Sequence, residues 1–270
     1  MGPAQNINGC QMRLAQRHLE AHSLDPLGLL VKVTPVMTTL QDNLQAVQSR
    51  IAAACAACGR NPAEVNLLAV SKTFGADAVQ EVAACGQQDF GENYIQEGVD
   101  KITFLQSAAN ANKPLIWHCI GPIQSNKTKY VAEFFSWAHT VDRLKIAQRL
   151  NDQRPANLPP LSVCLQVNID GGATKSGVAP EEVLELAEQV AQLPRLLLRG
   201  LMTIPDPVEG FEAQVALHAK ARALFDQMRD EVNLPHFDTL SMGMTSDLEA
   251  AIHAGSTMVR VGTAIFGGRL

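Results

Sequence analysis

The sequence has no run of eighteen apolar residues, so no membrane-spanning helix is expected. Its first residues lack the apolar core of a secretory signal, which points to the cytoplasm. No block of Lys or Arg is present and the formal charge is -5, so a nucleic-acid partner is excluded as well. The six cysteines, at 10, 55, 58, 85, 119 and 164, lack the dense spacing of a disulfide scaffold and read as reduced thiols. Cys55 and Cys58 match C-x-x-C, but no second Cys or His pair lies near to complete a tetrahedral metal site. The seven histidines form no H-E-x-x-H array, and no metal is expected.

What is present is a chain of 270 residues, 46% hydrophobic, long enough for one large core. Residues 1–36 differ from the rest: Gly2, Pro3, Gly9, Pro26, Gly28 and Pro35 punctuate them, and only 10–22 could form a short helix. They read as a disordered extension preceding a domain over 37–270. From residue 40 the pattern alternates. A helix over 40–58 carries Leu40, Leu44, Val47 and Ile51 on one face and has Gly59 as its stop. Strands then fall at 65–70, 89–91, 115–120, 137–141, 161–167, 196–203, 239–243 and 258–261, with helices between them. Eight strand–helix units imply a parallel sheet with right-handed crossovers, and their size fits a closed (β/α)8 TIM barrel. An open doubly wound sheet is the weaker reading, because no G-x-G-x-x-G follows the first strand.

Active sites of such barrels lie at the C-terminal strand ends, with phosphate in the loops after the last two strands. Lys72 closes the apolar run 65–70, where desolvation would favour the neutral amine that condenses with an aldehyde. A snorkelling lysine at a strand end is the plainer alternative. The segments 241–247 and 260–263 both combine glycine with hydroxyl groups before a helix start, which suits an anion. Ordinary capping by Thr245 or Ser246, and a salt bridge from Arg260 to Asp247 or Glu249, are the competing readings. Residues 91–94 and 118–127 supply further amide and imidazole groups at the strand ends.

Ala-Val-Ser-Lys-Thr at 69–73, Phe-Gly-Glu-Asn-Tyr at 90–94, and His118 to Gly121 with Gln124-Ser125-Asn126-Lys127 resemble the pyridoxal 5′-phosphate homeostasis protein family. So do Gly200-Leu201-Met202-Thr203-Ile204, Ser241 to Asp247, and Val259 to Gly267. The resemblance covers Met37 to the C-terminus. Thr245 stands where that family often has Ser, and residues 1–36 lie outside the pattern. It implies a fold type III pyridoxal phosphate barrel like the N-terminal domain of alanine racemase, with the cofactor joined to Lys72 as a Schiff base. It further implies Ser241, Thr245, Gly262 and Thr263 at the phosphate and Arg260 facing the pyridine nitrogen. Asn93, Asn168 and Met202 become residues of the mouth.

Arginine only donates, so opposite a pyridine nitrogen it disfavours the protonated ring and weakens the cofactor's electron sink. Two-base racemisation also needs a proton donor on the face opposite Lys72, which alanine racemase takes from a C-terminal β-domain. The chain stops seven residues past Thr263, so that domain is not expected here. Tyr94, Tyr130, His118 and Cys119 are the remaining donors. The resemblance therefore implies a monomeric, non-enzymatic protein that holds pyridoxal phosphate, acts in vitamin B6 and amino-acid homeostasis, and meets cofactor-dependent apo-enzymes transiently. A weakly active amino-acid racemase is the alternative, and a Schiff-base aldolase a more distant one.

Overall fold

The structure, a computed structural model, describes residues 22–24, 30–32, 39–107, 114–172 and 175–268. The chain divides into two units, Met1–Thr38 and Thr39–Leu270. In the first, two strands, His22–Leu24 and Leu30–Lys32, pair antiparallel. The helix expected over 10–22 lies outside the described residues except at His22, which is in the first strand, and of the extension expected to be disordered over 1–36 only these two strands are described.

The second unit opens with helix α1 (Leu40–Ala57), whose N-terminus is fixed by a capping box. The Thr39 hydroxyl accepts from the Asp42 N–H at 3.1 Å, and the Asp42 carboxylate accepts from the Thr39 N–H. Leu44, Val47, Ile51, Ala54 and Cys55 form its buried stripe, and Gly59 beyond its end takes a φ of 70°, as a C-terminal glycine should.

Eight strands follow: β1 (Asn66–Val70), β2 (Asp89–Glu92), β3 (Ile116–Cys119), β4 (Trp137–Val141), β5 (Leu161–Val167), β6 (Leu196–Thr203), β7 (Thr239–Ser241) and β8 (Met258–Val261). They pair in parallel and in sequence order, and β8 closes on β1 with Arg260 level with Leu68. The intervening helices are α2 (Ala76–Ala84), α3 (Ile95–Ser107), α4 (Thr128–Phe134), α5 (Leu144–Gln153), α6 (Val183–Ala191), α7 (Phe211–Val232) and α8 (Leu248–His253). This is the expected (β/α)8 TIM barrel. Among the described residues no helix is long and apolar enough to cross a membrane.

Differences from the sequence reading are local. Strand β7 ends at Ser241, two residues early, because Gly243 takes a φ of 89° and its carbonyl accepts from the Arg260 N–H. A four-residue helix α9 (Thr263–Phe266) after β8 was not anticipated; its shortness leaves no periodicity to read.

The two faces of the barrel wall follow from period two. Ala69, Phe90, Cys119, Ala138, Val163, Leu165, Leu201, Leu240, Val259 and Val261 belong to the large cluster beneath the helices. Leu68 and Val70 instead join Ile120 and Met258 in a small separate cluster inside the barrel. Alternation then places Asp89 and Gly91, His118, His139, Cys164 and Gln166, Met202, Ser241 and Arg260 on the inner face. Most of these are polar and nearly all are buried, so the barrel interior is held by hydrogen bonds as well as by apolar packing.

Candidate functional site

Lys72, Asn93, Asn168 and Gly262 lie one or two residues past the ends of β1, β2, β5 and β8. With Met202, Ser241 and Arg260 on the inner face near the ends of β6, β7 and β8, seven of the nine residues selected from the sequence gather at one end of the barrel. Thr245 and Thr263 lie in the loops directly after β7 and β8. Lys72 is half-buried, Met202 fully buried, and Asn93 and Asn168 half-buried.

Arg260 is only 4% exposed. Burial brings it down to about 10, so it remains a cation at neutral pH. It makes no ion pair among the described residues: Glu249 is paired to Arg50 and Asp247 to His218, so neither expected bridge forms. Burial pushes Asp247 up, but bonds from His218 and the Met244 N–H outweigh this and hold its carboxyl below the usual range. Asp247, rather than Thr245 or Ser246, occupies the N-cap position of α8, without a side-chain capping bond. Arg260 donates instead from Nη1 to Ser241 Oγ at 2.9 Å and from Nη2 to the Thr203 carbonyl at 2.8 Å.

Ser241 Oγ lies 3.1 Å from His139 Nδ1, His139 Nε2 lies 2.9 Å from His118 Nδ1, and His118 Nε2 lies 2.9 Å from Asp89 Oδ1. The buried imidazoles are both disfavoured as cations. With both neutral, the Asp89 carboxylate, which only accepts, assigns the proton of each ring to Nε2, and the Ser241 hydroxyl donates to His139 Nδ1. Burial lowers both, and for His139 the neighbouring His118 and Arg260 add to the effect. The Ser241 hydroxyl, expected at a phosphate, touches Arg260 and His139.

The mouth keeps other groups for a ligand. Among the described residues, the N–H groups of Thr245, Ser246 and Thr263 donate to no protein acceptor. Asn168 Oδ1 is buried without a partner. Gly262 lies so close to β1 that a Cβ there would be 3.1 Å from the Val70 carbonyl, which is the tight approach expected of a backbone cup beside Lys72. An amine, a guanidinium and free backbone donors are a donor set that fits an anionic aldehyde such as pyridoxal phosphate.

Tyr94 is 55% and Tyr130 37% exposed. Cys119 is on the outer face, and burial pushes its thiol up to about 12. His118 has both nitrogens engaged. A cavity of about 540 Å3 lined by Arg60, Asn66, Arg199, Arg222 and Asp238 opens at the opposite end of the barrel, where each arginine already has a carboxylate partner. Among the described residues no group of three His, Cys, Asp or Glu side chains could hold a metal.

Three features escaped the sequence reading. Asp89 and His139 lie on inner positions that strict alternation could have flagged. Lys101, at i+4 from Glu97, looks from sequence like an exposed helical ion pair but is 6% exposed.

Residues 43–270 match the family model described as alanine racemase, N-terminal domain. The pyridoxal phosphate homeostasis protein of Pseudomonas aeruginosa is 58% identical over 86% of this chain and 97% of its own length. That of Escherichia coli K12 is 54% identical over 86% of this chain and 98% of its own. Among solved structures, PipY of Synechococcus elongatus PCC7942 superposes with a TM-score of 0.74 at 33% identity, over 85% of this chain and all of that one. The same protein with PLP bound gives 0.73 at 32% identity. The alanine racemase of Clostridium difficile 630 shares the fold alone, with 16% identity, a TM-score of 0.63, and 57% of that chain covered against 84% of this one. By its family model and its relatives along nearly the whole barrel, the chain belongs to the alanine racemase N-terminal-domain family and, within it, to the pyridoxal phosphate homeostasis proteins.

Proposed function

We propose that this chain binds pyridoxal 5′-phosphate reversibly through a Schiff base on Lys72 and acts as a carrier rather than an enzyme. In this reading it is a cytoplasmic monomer that buffers a reactive aldehyde, passes it to cofactor-dependent apo-enzymes, and so influences vitamin B6 and amino-acid balance. Residues 1–36 form an extension outside the binding barrel.

One observation carries the reading: Lys72, the buried Arg260 and the open N–H groups of Thr245, Ser246 and Thr263 gather at one barrel mouth. The relatives named for pyridoxal phosphate homeostasis, and PipY with PLP bound, support it. Lys72 supplies the amine, which bonds the aldehyde carbon with loss of water. Ser241, Thr245, Gly262 and Thr263 bound the phosphate, and Ser241 also holds Arg260. Asn93, Asn168 and Met202 line the mouth, where Asn168 Oδ1 awaits a donor. The bound cofactor would supply an electron sink, and Arg260 at the ring nitrogen would blunt it by offering only hydrogens. Proton exchange on a substrate needs a second donor opposite Lys72; Cys119 faces outward and His118 has both nitrogens engaged, while Tyr94 and Tyr130 are exposed.

The test is borohydride reduction after mixing with pyridoxal phosphate, followed by peptide mapping, beside an amino-acid panel read for α-hydrogen exchange. A reduced adduct on Lys72, lost in Lys72→Ala, with no appreciable exchange, is expected. An adduct elsewhere would reject the site, and exchange at racemase-like turnover would reject the carrier role.

A further inference from the structure

Residues 71–74 form a tight turn: the Phe74 N–H donates to the Ser71 carbonyl at 3.1 Å, with Lys72 and Thr73 at its two central positions. Thr73 takes a φ of 70°. A turn with positive φ at its third residue normally has glycine there, and a β-branched side chain in that region is strained. Such strain persists only where surrounding contacts over-determine it.

Those contacts lie on the opposite side of the sheet from the mouth. Ser71 and Glu92 have outer parity and meet helix α3. The buried Lys101 ammonium donates to the Ser71 carbonyl at 2.8 Å, to Glu92 Oε1 at 2.8 Å and to Glu97 Oε1 at 2.6 Å, which uses all three of its hydrogens. Glu92 Oε1 also accepts from the Ser71 hydroxyl at 2.6 Å. Glu97 Oε1 also accepts from the Thr73 backbone N–H at 2.6 Å. One cation and two carboxylates thus grip the residues on either side of Lys72.

We propose that Glu97 and Lys101 are positioning residues for Lys72: they hold the 71–74 turn in a strained conformation that fixes where the amine enters the mouth. Without the tie, Thr73 relaxes to negative φ, its peptide rotates, and the Lys72 stem loses its fixed origin. This rests on the assignment of Lys72 as the cofactor-binding amine.

The test is a double-mutant cycle between Glu97→Ala and Thr73→Gly, reading the rate of adduct formation with pyridoxal phosphate. Hydrogen exchange of the Phe74 amide is measured in the ligand-free protein alongside. Glu97→Ala should slow the adduct by about tenfold and expose the Phe74 amide. Glycine adopts positive φ without penalty, so Thr73→Gly should stay near wild type and should restore most of the rate in the double variant. Glu97→Gln keeps an oxygen for the Thr73 N–H and also serves if the alanine variant fails to fold; it should stay within about twofold of wild type. Strictly additive losses, a Gln variant reduced tenfold, or a wild-type rate in Glu97→Ala with the amide still protected would each overturn the proposal. If the wild-type adduct maps away from Lys72, the cofactor site falls, whereas the exchange data still report on the turn.

Discussion

Arg260 and Asp89 are the donor and acceptor ends of one hydrogen-bonded chain crossing the barrel interior through Ser241, His139 and His118. Arg260 is buried and Asp89 keeps 31% of its side chain exposed, so the cation at the mouth has its carboxylate counterpart at the far end of the barrel. With both imidazoles neutral, each intermediate group is both donor and acceptor. Among the described residues the chain therefore holds Arg260 by hydrogen bonds and not by an ion pair.

Acid should attack this chain first. The ordinary histidine value is 6.5, and the fold holds His118 below it and His139 well below it. Below pH 6.5 the unfolded chain binds protons that the folded one refuses, so stability falls as pH falls, and above that value these residues contribute no slope. Each histidine that stays neutral contributes about 1.4 kcal/mol per pH unit. Urea unfolding at pH 7.5, 6.5 and 5.5 should show a slope only below 6.5, reduced by one histidine's share in His139→Gln. A flat profile would show that the imidazoles take up protons in the fold as readily as in the unfolded chain.

Replacing Arg260 with Met should weaken pyridoxal phosphate binding by at least about tenfold, the loss of one charge-assisted contact. It also deprives Ser241 Oγ and the Thr203 carbonyl of a donor, so the ligand-free protein should lose about 1–3 kcal/mol. Titration by visible absorbance and urea unfolding separate the two effects. Unchanged affinity would remove Arg260 from the site.

Much of this molecule is legible in its sequence because period two, turn residues and helix stripes are local. The strand bounds at Trp137–Val141, Leu161–Val167, Leu196–Thr203 and Met258–Val261 match the expectation residue for residue. Lys72 and Arg260 stand out for the same reason, each being a charge at an inner position of an apolar strand or just past its end. What stays hidden depends on partners far along the chain. His139 finds Ser241 across 102 residues, and Lys101 reaches the Ser71 carbonyl across 30. No local rule distinguishes Lys101 from an exposed helical lysine paired with Glu97. The positive φ of Thr73 is likewise invisible, because a threonine carries no signal for it.

Gly121 offers a steric test of the mouth. A Cβ at this position would lie 1.9 Å from the Asn93 carbonyl oxygen, so the loops after β2 and β3 pack backbone against backbone. Gly121→Ala cannot be absorbed by a side-chain rotation and should cost about 1–3 kcal/mol while displacing Asn93. Denaturant unfolding measures the cost. A stability loss without any change in pyridoxal phosphate affinity would show that Asn93 does not touch the cofactor.

The Lys101 network predicts a penalty that depends on pH in a definite direction. Glu92 is fully buried, and burial pushes its carboxyl up even though Lys101 and Ser71 pull it down. Removing the ammonium in Lys101→Met takes away the strongest of those opposing influences and leaves a buried carboxylate whose Oε2 has no partner. The cost should be about 3–5 kcal/mol at neutral pH, the usual result of breaking a buried pair from one side. A group whose folded pKa is raised is favoured below its unfolded value and penalised as pH rises through the folded one. The Lys101→Met defect should therefore shrink as pH falls toward 4.5, the ordinary glutamate value. Adding Glu92→Gln, which removes the charge but keeps the hydrogen bond from Ser71, should recover part of the loss at neutral pH and abolish the pH dependence. Urea unfolding of the two variants at pH 5 and pH 7.5 decides the matter, and a defect equally large at both would show that Glu92 is not the group left uncompensated.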